Sequence, residues 1–106
     1  MKLLTEEMKR KLPALRATET TPLLNKIFVF KFFTPWSCWT WYVVEGEEQD
    51  NGDWLFWGYV EGIESEWGYF SLKELEDITT GPGGLKVERD LHFEDVPARK
   101  LLEEKA

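Results

Sequence analysis

Three stretches between Ile27 and Val60 alternate with a period of two, and each is apolar on both of its faces. In Ile27–Phe33, the residues Ile27, Val29, Lys31 and Phe33 fall on one side and Phe28, Phe30 and Phe32 on the other. In Trp39–Glu45, the residues Trp39, Trp41 and Val43 face one way and Thr40, Tyr42 and Val44 the other. Trp54–Val60 continues the same chemistry. β-Branched and aromatic side chains suit a pleated surface, and period-two alternation places them on opposite faces of a sheet. A sheet with one wet face alternates polar with apolar. This chain needs cover on both sides.

The connections point to hairpins. Pro35-Trp36-Ser37 reads as a turn, and Asp50-Asn51-Gly52-Asp53 within Gly46–Asp53 is a strong hairpin signal. Trp67–Phe70 reads as a fourth strand and Val87–Phe93 as a fifth. Around them lie short helices. Thr5 caps the first, with Glu6 and Glu7 at its positive end and Leu4, Met8 and Leu12 recurring at helical spacing until Pro13. Ser71-Leu72-Lys73-Glu74 is a capping box that opens a second helix. Pro97–Lys105 reads as a terminal helix. Residues 16–25 read as an extended surface connection, and Gly81-Pro82-Gly83-Gly84 as a flexible turn. The fold class implied is α+β, an aromatic-rich and mainly antiparallel sheet of about five strands in one domain over residues 1–106.

Charge is unevenly distributed. Residues 1–44 hold seven Lys/Arg and three Asp/Glu, a balance of +4. Residues 45–77 hold eleven acids and only Lys73 as a base, a balance of −10, and residues 78–106 come to −1. Such a middle segment repels phosphates and steers basic partners. Cys38 is the one cysteine, so neither an intrachain disulfide nor a cysteine metal cluster can form, and it reads as a small buried or half-buried residue. Acids at Glu6 and Glu7 do not suit a signal peptide, and no apolar run approaches the ~20 residues that span a bilayer. A cytoplasmic, soluble protein is expected, with no membrane partner.

Few residues carry candidate chemistry. Strand alternation through Glu88-Arg89-Asp90-Leu91-His92 puts Glu88, Asp90 and His92 on one face, spaced about 6–7 Å apart, where they could hold a metal or act as acid and base. The simpler reading is the solvated face of an amphipathic strand. Glu45, Glu47, Glu48, Asp50 and Asp53 could attract a divalent cation but do not follow the EF-hand ligand order. The glycine-rich loop lacks a following Lys-Ser/Thr, and nothing near Ser37 or Cys38 activates a nucleophile. No cofactor is implied. The aromatics Trp36, Trp39, Trp41, Tyr42, Trp54, Trp57, Trp67 and Tyr69 could stack bases, but base-stacking platforms need basic surroundings and these are acidic. They serve as core, or as core with an exposed protein-binding rim.

Several blocks also resemble a known family. They are Phe32-Phe33-x-Pro35-x-Ser37-x-Trp39-Thr40-Trp41-Tyr42, Glu45-Gly46-Glu47, Phe56-x-Gly58-Tyr59-Val60, Gly68-Tyr69-Phe70-Ser71-Leu72-x-Glu74-Leu75 and Gly84-Leu85-x-Val87-Glu88-Arg89-Asp90-Leu91-His92-Phe93. Together they resemble a small bacterial family of unknown function that occurs on plasmids, integrated elements and phages. The resemblance covers nearly the whole chain and implies a mobile-element setting, but it brings no activity and no catalytic residues.

Three functions follow as expectations. The first is a non-enzymatic, protein-binding modulator that meets a basic protein surface, in its sharp form an inhibitor of a nucleic-acid-binding or defence enzyme, in its bland form an accessory subunit or homodimer. The second is a small metal-dependent hydrolase or nuclease accessory using Glu88, Asp90 and His92. The third is a single-stranded nucleic-acid binder using the tryptophan-rich sheet, which the charge balance disfavours.

Overall fold

The computed structural model describes residues 2–79 and 81–105. Its elements in chain order are α1 (Glu6–Lys11), β1 (Ile27–Phe28), β2 (Phe30–Phe33), β3 (Thr40–Glu48), β4 (Trp54–Glu61), β5 (Ser65–Ser71), α2 (Leu72–Glu76), β6 (Glu88–Arg89), β7 (Val96–Pro97) and α3 (Ala98–Lys105). An antiparallel five-stranded sheet has the order β5-β4-β3-β2-β6, and β1 pairs with β7 in a separate two-stranded ribbon. The fold is α+β.

Local chemistry sets the helix ends. The Thr5 hydroxyl accepts the Met8 N–H at 3.2 Å, and Ser71 accepts the Glu74 N–H at 3.1 Å, so each satisfies a donor that the first turn would otherwise orphan. Glu6 and Glu7 sit at the start of α1 and Lys9, Arg10 and Lys11 at its end, matching the helix dipole. Asp53, at the end of the β3–β4 turn, accepts the N–H of Trp54 at 2.8 Å and that of Lys73 at 3.1 Å, so the hairpin caps α2 from outside.

Both faces of the sheet are covered. On one, Phe32, Trp41, Val43, Phe56 and Phe70 pack against Leu3, Leu4 and Met8 from the N-terminal segment and Leu75 from α2. On the other, Phe28, Tyr42 and Val44 pack under Ala98, Leu101 and Leu102 of α3. Each fully buried phenylalanine contributes about 1.5–3 kcal/mol by removal of apolar area from water.

Four local expectations are corrected. The first strand breaks at Val29, whose N–H bonds to the Val43 carbonyl at 2.9 Å while β1 leaves to pair with β7. The face therefore switches: Phe30 and Phe32 join one core and Phe28 the other, because alternation does not survive an interrupted ladder. Residues 16–25 are not extended. They fold into successive turns, with Ala17 N–H to Ala14, Glu19 N–H to Arg16 and Thr21 N–H to Thr18 carbonyls, then a single 3₁₀ turn at Leu23–Asn25. The fifth strand shrinks to Glu88–Arg89, since the chain turns at Asp90, whose carboxylate accepts the His92 N–H at 2.9 Å. Cys38 is exposed, because it lies in the turn before β3 begins.

Candidate functional site

Strand β3 carries an irregularity with consequences. It pairs with β4 as Val43↔Gly58 and then Glu45↔Trp57, so Val44 is an extra residue on the β3 side. A bulge of this kind bends the strand and re-aims a side chain. Regular alternation would put Glu45 on the face of Trp41 and Val43. The bulge instead pairs it with Trp57, on the face of Val44, and β4 pairs Trp57 with Tyr69 on β5. Cross-strand partners share a face. Glu45, Trp57 and Tyr69 thus form one row from the centre of the sheet to its outer edge.

The chain segment after α1 closes over the inner end of this row. Glu45 is only 5% exposed, yet its carboxylate is satisfied: Oε1 accepts the Arg16 N–H at 2.8 Å, and Oε2 accepts the Thr18 N–H at 2.9 Å and the Thr18 hydroxyl. Lys26, 6% exposed, donates from Nζ to the Thr18 carbonyl and, at 3.0 Å, to Thr18 Oγ1. The Thr18 hydroxyl therefore links a buried cation to a buried anion. The Lys26 ammonium also lies 5.2 Å from the centre of the Trp57 ring. Arg16 takes φ of +71°, an uncommon conformation for a residue with a Cβ. In that bend the N–H groups of residues 16 and 18 converge on one carboxylate, as backbone donors do in an anion-binding nest.

The result is an open cleft of about 460 Å³, lined by Arg16, Glu19, Thr21, Pro22, Leu23, Lys26, Glu45, Trp57 and Tyr69. Bulge, buried charges and a left-handed arginine meet in one place, a convergence more typical of sites than of plain core. Glu45 and Lys26 are engaged with the protein itself. What the cleft offers outward is the Tyr69 ring, 59% exposed, together with exposed Leu23 and Pro22 and the oppositely charged, exposed Glu19 and Arg16 in the same lining. This is recognition chemistry, an aromatic and apolar floor with a charged rim.

A second polar group lies on the same face. Burial, and then the nearby Glu61 carboxylate, raise the Tyr42 phenol above its ordinary 10.0. Burial acts to lower Lys105, but Tyr42 and Glu61 outweigh it and the ammonium ends above its usual range. Lys105 Nζ lies 3.4 Å from Glu61.

The other residues singled out by sequence are dispersed. Trp41 and Tyr42 are core side chains and take no part in an exposed rim. Trp57 and Trp67 stack at 5.3 Å, and Trp67 stacks on Phe28 at 5.7 Å, all on the α3 side. Trp54 is half-buried, with the Lys9 ammonium 5.5 Å from its ring. Trp36 and Trp39 line a separate hollow of about 230 Å³ with Trp41 and Ile78. Glu47, Glu48 and Asp50 are exposed on the hairpin, whereas Asp53 is the cap described above. Glu88, Asp90 and His92 do not share a strand face, because β6 ends at Arg89 and Asp90 turns to Lys31 at 3.8 Å. Among the described residues no group of three His, Cys, Asp or Glu side chains is placed to hold a metal ion. Arg16, Thr18 and Lys26 had no sequence signal, since their roles come from a bulge and a turn that periodicity does not encode.

The chain matches, over residues 3–101, the family described as a protein of unknown function, DUF2958. It belongs to that family. No curated protein and no solved structure matches the chain significantly. Family membership supplies no activity for the cleft, so its chemistry has to be read from the side chains. Among the described residues no helix is long and apolar enough to cross a membrane.

Proposed function

We propose that this DUF2958 member is a non-enzymatic, protein-binding modulator whose β3–β5 and α2 region engages a basic protein surface. The observation that carries the reading is the one-sided charge of residues 45–77 combined with its exposure. Lys73, the sole base there, is tied to Asp77 at 3.0 Å, and Glu61 is tied to Lys105. Glu47, Glu48, Asp50, Glu64, Glu66, Glu74 and Glu76 are exposed, and among the described residues none of them forms an ion pair. Clustered free carboxylates steer cationic partners at range and repel nucleic-acid phosphates. Tyr69 supplies an aromatic anchor beside them. The mobile-element setting implied by the sequence blocks fits a protein that modulates a nucleic-acid-handling enzyme, whose DNA-binding surface would be basic.

The test uses an arginine-rich polypeptide and compares two sets of neutralised variants. Glu64→Gln, Glu66→Gln and Glu74→Gln together should weaken binding about tenfold at low salt, while Glu94→Gln, Glu103→Gln and Glu104→Gln together should change it little. Equal effects of the two sets would reduce the interaction to net charge and sink the proposal. So would tight binding of a single-stranded oligonucleotide.

A further inference from the structure

The outer strand of the sheet and the cleft meet at Tyr69. Strand β5 runs seven residues, Ser65–Ser71, pairs with β4 without a register shift and terminates the strand order. Its outer edge is open: among the described residues, the backbone of residues 65–71 makes no strand pairing beyond the one with β4, and Ser65, Glu66 and Tyr69 are exposed. Proteins commonly blunt such an edge with lysine, proline or a bulge. Strand β5 has none of these. Its only charged residue is Glu66, with Glu64 just before it and Glu61 across the turn.

We propose that β5 is a strand-addition site for an extended, basic segment of the partner protein. The proposal rests on the acidic-surface reading above and names the form of the partner. In strand addition, backbone hydrogen bonds hold the ligand and pockets beside the edge select alternate side chains. The residue placed opposite Tyr69 would continue the Glu45–Trp57–Tyr69 row, with its Cβ about 5 Å from that of Tyr69 and its side chain on the cleft face. Arginine suits that position. Its stem packs on Leu23 and Pro22, its guanidinium lies over the Tyr69 ring, and the exposed Glu19 carboxylate lies within the same cleft. The same charge argues against a second copy at this edge, which would bring its own Glu64 and Glu66 to an already acidic strand.

The probe is a capped heptapeptide of alternating arginine and valine, compared with its fully N-methylated counterpart, which keeps the charge and loses every backbone donor. The parent peptide should bind at least about tenfold more tightly and slow amide hydrogen exchange along residues 65–71. Tyr69→Ala, a change at an exposed side chain, should weaken the parent about threefold to fivefold. Equal affinity for the two peptides overturns strand addition and leaves acidic-surface binding standing. Failure of both peptides to bind at low salt overturns both readings. A dimer in sedimentation with residues 65–71 already protected assigns the edge to a second copy and also overturns the proposal.

Discussion

Taking a carboxylate out of water costs several kcal/mol unless donors replace the hydration it loses. Glu45 recovers it from two backbone N–H groups and one hydroxyl, and the same hydroxyl receives Lys26. Glu45→Ala leaves those donors and a buried ammonium without their anion, and should lower unfolding free energy by about 3 kcal/mol in urea titrations. Thr18→Val keeps the shape and removes the bridge, for a loss of about 1–2 kcal/mol. The double variant should lose less than the sum, because both changes break one network. An unchanged urea midpoint in Glu45→Ala would show that the network does not hold the 14–21 segment in place. Tyr42 gives a pH signature. Its phenol is raised in the fold, so the folded state keeps a proton that the unfolded chain releases first. The associated stability is complete below pH 10.0 and is lost as pH rises through the higher folded value. Lys105, also raised, adds in the same direction. Thermal unfolding followed above pH 10.0 should therefore show a falling midpoint, and Tyr42→Phe should flatten that fall.

At the scale of elements, the bulge in β3 depends on its neighbour. Gly58 lies opposite Val43, and a Cβ built on it would sit 1.9 Å from the Tyr42 carbonyl oxygen. The two strand backbones approach too closely there for any other residue. Gly58→Ala should cost about 3 kcal/mol and disturb the Glu45–Trp57 pairing, visible as altered tryptophan emission as well as a lower melting temperature. A melting temperature equal to wild type would mean that the strands part without penalty. The hairpins that flank the bulge were legible beforehand. The Asp50–Asp53 signal matches the observed turn, in which Gly52 takes φ of +85°, and the alternation of Trp41 to Val44 matches their division between two cores. The bulge itself left no trace, because Tyr42-Val43-Val44-Glu45 alternates no differently from a regular strand.

For the whole molecule, two layers of cover on one sheet explain how so many aromatics coexist with high surface charge. The N-terminal segment and α2 cover one face, α3 covers the other, and the acidic residues are pushed to the hairpin, the β5 edge and the outer side of α2. Charge of one sign along that rim predicts an association that weakens steeply with salt. Affinity for an arginine-rich polypeptide should fall at least about tenfold between roughly 0.05 M and 0.5 M salt, and salt-independent binding would contradict the proposed role. The structure places most tryptophans in or against the cores and leaves Tyr69, 59% exposed, and Trp39, 38% exposed, as aromatics open to a partner.

By itself, the sequence determined the α+β class, the antiparallel hairpins, the helix starts at Thr5 and Ser71 and the need to cover both sheet faces. Each of these follows from side-chain period, capping chemistry or turn residues within a few positions. The tertiary structure alone decided where the strand beginning at Ile27 changes face, how residues 16–25 fold back, that the strand beginning at Val87 ends at Arg89, and that Glu45 meets Thr18 and Arg16. Those last contacts join residues 27 and 29 positions apart. They arise from one extra residue in a ladder and from one bend at Arg16, and neither changes the local pattern from which a sequence is read.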